Sequence, residues 1–177
     1  AKQIGVSNFS IKLMEKAQAY SRNKIAANQV EYNFLRGEPE EGFIDYCRKK
    51  GITLIAYSPL GEGILGQKGA GIEILDMLAG KYKKTPAQIA LNWLISQENV
   101  ITIPKTTNLE HMKENLGALG WKLERKDFHL LAEYHKTYWT FRDFLGRQFD
   151  RTSTLIADNF PQAKKLKRIY DKIKRRF

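Results

Sequence analysis

Four short stretches of the 177-residue sequence end in groups that could bind a ligand: Ser7-Asn8, Gln29 with Glu31 and Asn33, Tyr57-Ser58-Pro59-Leu60, and Lys105-Thr106-Thr107-Asn108. The last has the plainest chemistry. A lysine, two hydroxyls and the amides of a helix beginning at Asn108 make a favourable site for a phosphate. Taken singly, the others have ordinary readings, with Ser7 and Asn8 as a turn, Gln29 as a satisfied buried amide and Tyr57 as core. As a set they are harder to dismiss. Metal chemistry has no comparable signal: one cysteine, Cys47, allows no internal disulfide, and three scattered histidines give no zinc spacing. Cys47, with only Arg48 nearby as an activator, reads as a structural thiol.

These groups follow short runs of β-type residues, Ile4 to Ser7, Asn28 to Tyr32, Thr53 to Ser58 and Val100 to Pro104, and each run is followed by a helical pattern. Ser10 suits the N-cap of a helix over Ile11 to Tyr20 that places Leu13, Met14 and Ala17 on one side. Pro39 suits a first helical position, with Gly51 as the stop. A glycine-rich loop from Gly61 to Gly71 leads to a short helix near Ile72 to Tyr82. Thr85-Pro86-Ala87-Gln88 is a capping box that opens a helix apolar almost all round, Ala87 to Ser96, in which Trp93 packs. Asn108 caps Leu109 to Leu116. Strand and helix alternating four times predict an α/β fold with a parallel sheet, in which ligand sites gather at the carboxyl ends of the strands. Four units in about 120 residues are half of a (β/α)8 barrel, an arrangement with two open edges and an uncovered inner face.

The composition fits a globular chain, at 42% hydrophobic, 11% aromatic and 28% charged. No apolar run approaches the roughly 18 residues needed to span a bilayer. The opening AKQIGVSNFS reads as neither signal nor transit sequence, so a soluble, cytoplasmic chain is expected. The net charge is +11, but the last 17 residues hold eight Lys or Arg against Asp171 alone, a local +7 that leaves +4 for the rest. The basicity is thus mainly that of a tail in which Leu166, Ile169, Tyr170 and Ile173 share one helical face. A solvated terminal helix is expected and nucleic acid is disfavoured, because the aromatic stretch from Tyr138 to Phe149 does not adjoin the basic run. The aromatic stretch from Tyr138 to Phe149 reads as a helix packed on the body, and His129 and His135 as solvated.

IGVSNFS, NQVEYN, GITLIAYSPLGEG and VITIPKTTNLEHMKEN, in this order and spacing, resemble the second half of the aldo-keto reductases, NAD(P)H-dependent (β/α)8 barrels. The resemblance covers residues 1–131. It implies a parallel (β/α)4 half of a TIM-type barrel that carries the cofactor site, with residues 132–177 as an aromatic and then basic helical extension. It also implies that Ser7, Asn8 and Gln29 hydrogen-bond the nicotinamide carboxamide and that Tyr57 stacks on the nicotinamide ring. Ser58 and Leu60 would lie against the pyrophosphate, Lys105, Thr106 and Thr107 would meet the 2′-phosphate, and Glu114 and Asn115 would lie near the adenine. His111 stands where the family commonly has arginine. A largely neutral histidine lacks the guanidinium's fixed charge, so NADP is the expected cofactor on the strength of Lys105, with NAD the alternative.

The resemblance further implies reduction of an aldehyde or ketone to an alcohol, with a small carbonyl compound as substrate in a completed barrel. The family's proton-transfer tetrad of tyrosine, lysine, aspartate and histidine comes from the first half of that barrel, so no catalytic residue is assigned here. The expected partner is a missing amino-terminal half-barrel or a second copy. The other reading is a non-catalytic binding module with a basic tail for an acidic partner.

Overall fold

The computed structural model describes residues 1–39, 41–66 and 72–148, with side chains described as far as residue 136 apart from Gly66. The basic tail and the side chains of the aromatic stretch lie outside the described residues. The chain divides into two compact units, one spanning Ala1–Leu123 and the other beginning at Glu124.

The first unit is built on four parallel strands, β1 (Ile4–Ser7), β2 (Ile25–Glu31), β3 (Thr53–Tyr57) and β4 (Val100–Thr102), in the sheet order β1-β2-β3-β4. Helices α1 (Ile11–Tyr20), α2 (Phe43–Lys50), α3 (Glu73–Tyr82), α4 (Pro86–Ile95) and α5 (Leu109–Leu116) connect and follow them. The second unit begins with α6 (Arg125–Gln148). Among the described residues no helix is long and apolar enough to cross a membrane.

Local chemistry explains most boundaries. Ser10 Oγ accepts from the Leu13 amide at 3.2 Å and starts α1. Thr85 and Gln88 exchange hydrogen bonds of 3.2 and 3.1 Å as the expected capping box, and α4 buries nearly its whole surface, with Trp93 only 2% exposed. Asn108 caps α5 by accepting from the Glu110 and His111 amides.

Three expectations need correction. Helix α2 starts not at Pro39 but after Gly42, whose left-handed backbone (φ +76°) turns the chain, while the Glu38 carboxylate accepts from the Ile44 amide at 3.1 Å in place of a cap side chain. Leu13 is exposed, leaving Met14 as the buried residue of α1. Strand β2 begins three residues early, at Ile25, which pairs with Ile4 ahead of a register shift that passes over Ala26.

The sheet has two unlike faces. Asn28, Val30, Leu54, Ala56 and Val100 point to the helix-covered side and are buried. By register, Ser7 pairs with Gln29 and Gln29 with Ile55, so Ser7, Gln29, Ile55, Tyr57 and Ile101 share the opposite face. That face is open enough to leave Ile101 48% exposed.

Candidate functional site

The carboxyl ends of β1, β2 and β3 bring Ser7, Gln29 and Tyr57 onto one surface. Register places Ser7 directly beside Gln29, and Tyr57 beside Glu31, two residues beyond Gln29. Asn8 follows immediately, held in the left-handed region (φ +57°) with its amide donating to the Gln29 carbonyl at 2.8 Å. The Ser7 hydroxyl donates to that same carbonyl at 3.0 Å. Two bonds therefore fasten the β1 terminus to β2, while the side-chain amides of Asn8 and Gln29 and the Tyr57 hydroxyl make no hydrogen bond to the described residues. Two primary amides that each donate and accept, beside a half-buried aromatic ring, are suited to a flat ligand with a polar edge.

Two asparagines hold the site in shape: Asn28, which sequence reasoning had not placed there, and Asn33, which it had grouped with Gln29 as a ligand-binding candidate and whose amide is committed to the fold. Asn28 is wholly buried on the helix side, where its Nδ2 donates to the Phe9 carbonyl at 2.8 Å and its Oδ1 accepts from the Phe9 amide at 3.5 Å. It thereby clamps the residue after Asn8. Asn33, 1% exposed, donates from Nδ2 to the Ser58 carbonyl at 2.9 Å and accepts at Oδ1 from the Leu35 amide at 2.9 Å. Ser58 is itself left-handed (φ +47°), and Asn33 fixes that turn. The available signal for Asn28 was the period of two: an amide one position from Gln29 must face the helices, where an unpaired polar group is costly.

Beyond Ser58 the chain bends through Leu60, whose carbonyl accepts from the Gly63 and Leu65 amides at 3.1 Å. Gly61 (φ +55°) comes so near Leu35 that a Cβ there would lie 3.0 Å from Leu35 Cδ1. Ser58 and Leu60 are thus carried on a loop packed against the β2 loop, with both side chains half-exposed.

At the end of β4 the phosphate-type cluster separates into two roles. The Thr106 hydroxyl accepts from the Asn108 amide at 3.1 Å and shapes the turn. Asn108 Oδ1 takes the Glu110 and His111 amides, so those two first-turn donors already serve the cap, which narrows the expectation of freely offered helix amides. Lys105 and Thr107 stay exposed and make no ion pair or hydrogen bond to the described residues. His111 Nδ1 stands 3.6 Å from Glu114 Oε2 on the same helix, and Asn115 is half-buried beside Glu114.

Two further titratable groups of the first unit, Tyr32 and Cys47, are committed to its core. Tyr32 is 2% exposed and donates to Gln97 Oε1 at 3.0 Å; burial, and then the Glu38 carboxylate, push its phenol well above the ordinary range despite that bond. Its hydroxyl is thereby committed to Gln97. Burial, aided by Glu38, pushes the Cys47 thiol up to about 11, as an inert core thiol requires. His135 is buried, contrary to the solvated state expected of it, whereas His129 is exposed.

The profile of the Aldo/keto reductase family matches residues 1–136. A probable aldo-keto reductase 1 of Glycine max is 33% identical over 159 residues, which cover 75% of this chain and 45% of that protein. The NAD(P)H-dependent D-xylose reductase of Aspergillus niger is 31% identical, over 82% of this chain and 48% of its own length. Among solved structures, the thermostable aldo-keto reductase Tm1743 superposes with a TM-score of 0.69 at 39% identity, covering 74% of this chain and 47% of that one. The Bombyx mori aldo-keto reductase in complex with NADP does so with a TM-score of 0.63 at 31% identity, over 73% of this chain and 43% of that one. The chain spans about half the length of the relatives it matches.

Proposed function

Because the chain belongs to the aldo/keto reductase family, we propose that residues 1–131 are the cofactor-holding, carboxy-terminal half of a reductase barrel that reduces an aldehyde or ketone to an alcohol with NADP(H). The observation that carries this reading is the set of uncommitted amides, Asn8 and Gln29, beside Tyr57 on the open sheet face. In this proposal Asn8, Gln29 and the Ser7 hydroxyl oxygen orient a carboxamide, and the Tyr57 ring covers one face of the nicotinamide. Ser58 and Leu60 line the path of the pyrophosphate. Lys105 and Thr107 take the 2′-phosphate while Thr106 holds the turn beneath them. His111, Glu114 and Asn115 flank the adenine end. NADPH when bound supplies the hydride; the chain supplies position and the exclusion of water from one side.

The proton donor belongs, in this reading, to a companion half. Tyr57 is assigned to stacking and Tyr32 is buried in a hydrogen bond, which leaves neither strand-end tyrosine for that task. The companion would cover the open face and the β4 edge, where Ile101, Ile103, Leu109, Met112 and Leu116 are all exposed. It would be an amino-terminal half-barrel or a second copy of the chain.

Fluorescence titration of NADPH into the purified chain tests the proposal. Half of a binding wall should give a dissociation constant of roughly tens of micromolar or weaker, lost in Tyr57→Ala and weakened for NADH. Submicromolar binding by monomeric chain would contradict the divided site, and no binding at millimolar NADPH would sink the cofactor reading.

A further inference from the structure

At the opposite pole of the sheet from the residues discussed so far, the amino ends of β2 and β3 and the last turns of α1 and α2 enclose a cleft of about 470 Å³. Its floor is apolar and built from buried residues, Met14 of α1, Ile25 at the start of β2 and Ile52 just before β3. The ring of Tyr46 forms one wall. Such a volume lies within the range of small-molecule sites, which are characteristically apolar with a few convergent polar groups.

Its polar lining includes two ammonium groups, those of Lys24 and Lys50, together with Glu15, Gln18 and the Tyr46 hydroxyl. Lys24 lies across the turn that ends α2, with Nζ only 3.2 Å from the point where a Cβ on Gly51 would stand. Gly51 is left-handed (φ +61°) and its missing side chain is what lets Lys24 lie there, next to Lys50. Lys50 Nζ in turn lies 5.9 Å from the Tyr46 ring centre. Neither ammonium has a carboxylate within 4.0 Å among the described residues, and Glu15, the acidic residue of the lining, is carried by α1. Burial, and then Glu15, push the Tyr46 phenol up, so it persists as a neutral donor.

We propose that this cleft is a second ligand site, taking an apolar molecule that bears a single carboxylate, with the head group on Lys24 and Lys50 and the body over Met14, Ile25 and Ile52. Two positive charges against one negative in the lining favour an anion, and Glu15 disfavours a second anionic group on the same molecule. The site uses none of the residues of the cofactor reading and stands or falls independently of it.

Isothermal titration of the full chain with decanoate and with 2-naphthoate tests the assignment, and the tighter ligand tells a flexible body from a flat one. Decylammonium is the opposite-charge control. Lys24→Gln with Lys50→Gln should weaken the carboxylate about tenfold or more, the loss expected when charge-assisted contacts worth at least 1.4 kcal/mol are removed. Ala19→Trp, an exposed position on α1 within the lining, keeps both charges but fills the space, and should weaken binding comparably while the circular dichroism spectrum is preserved. The proposal is overturned if neither carboxylate binds at millimolar concentration, if decylammonium binds equally well, or if both variants bind as the parent does.

Discussion

Gln29 shows how one position can serve two purposes at once. Its backbone carbonyl receives the Ser7 hydroxyl and the Asn8 amide, and its side chain remains uncommitted. Gln29→Ala should therefore preserve the fold and weaken NADPH binding, read as an unchanged melting temperature beside a loss of fluorescence enhancement. Asn28→Ala should do the reverse. It strands the Phe9 peptide groups that the amide now satisfies and is expected to cost about 1–3 kcal/mol in urea denaturation. Cys47 gives a prediction in pH. Its folded value of about 11 lies above the ordinary value of 9, so its contribution to stability is complete below pH 9 and is lost as the pH climbs through 11. Denaturation midpoints measured across that window should fall less steeply for Cys47→Ala than for the parent.

At the level of elements, those with strong local chemistry could be read from sequence and those fixed by neighbours could not. Ser10, Thr85 with Gln88, and Asn108 each announce a helix start, and each makes the cap they imply. The start of α2 was hidden because a glycine and the distant carboxylate of Glu38 do the work, and neither resembles a capping side chain. Likewise β2 runs through Ala26 and Ala27, poor strand formers, because the pairing of Ile25 with Ile4 and of Ala27 with Gly5 and Thr53 decides there. The candidate site was legible as residue types at strand ends, and parity added which of them share a face. What remained invisible was occupancy: that Thr106 and two amides of α5 already serve the turn and its cap. Thr85→Ala should lower stability by about 1 kcal/mol in chemical denaturation, since α4 is buried and its cap is complete.

For the first unit as a whole, the apolar surface left open is the dominant feature. Ile101 and Ile103 lie along an edge that no other described strand pairs with, and α5 buries none of its residues, with Leu109 62% and Leu116 60% exposed. Sedimentation velocity at tens of micromolar is expected to show association rather than a clean monomer, and Ile101→Lys should shift the distribution toward monomer. Strand order carries a different consequence. Because each described strand after β1 pairs with the one just before it in the chain, none of these strands must wait for a remote stretch to be synthesised before it can add to the sheet. The molecule is thus suited to assemble from one end to the other as it leaves the ribosome, with β4, the last strand added, presenting the growing edge.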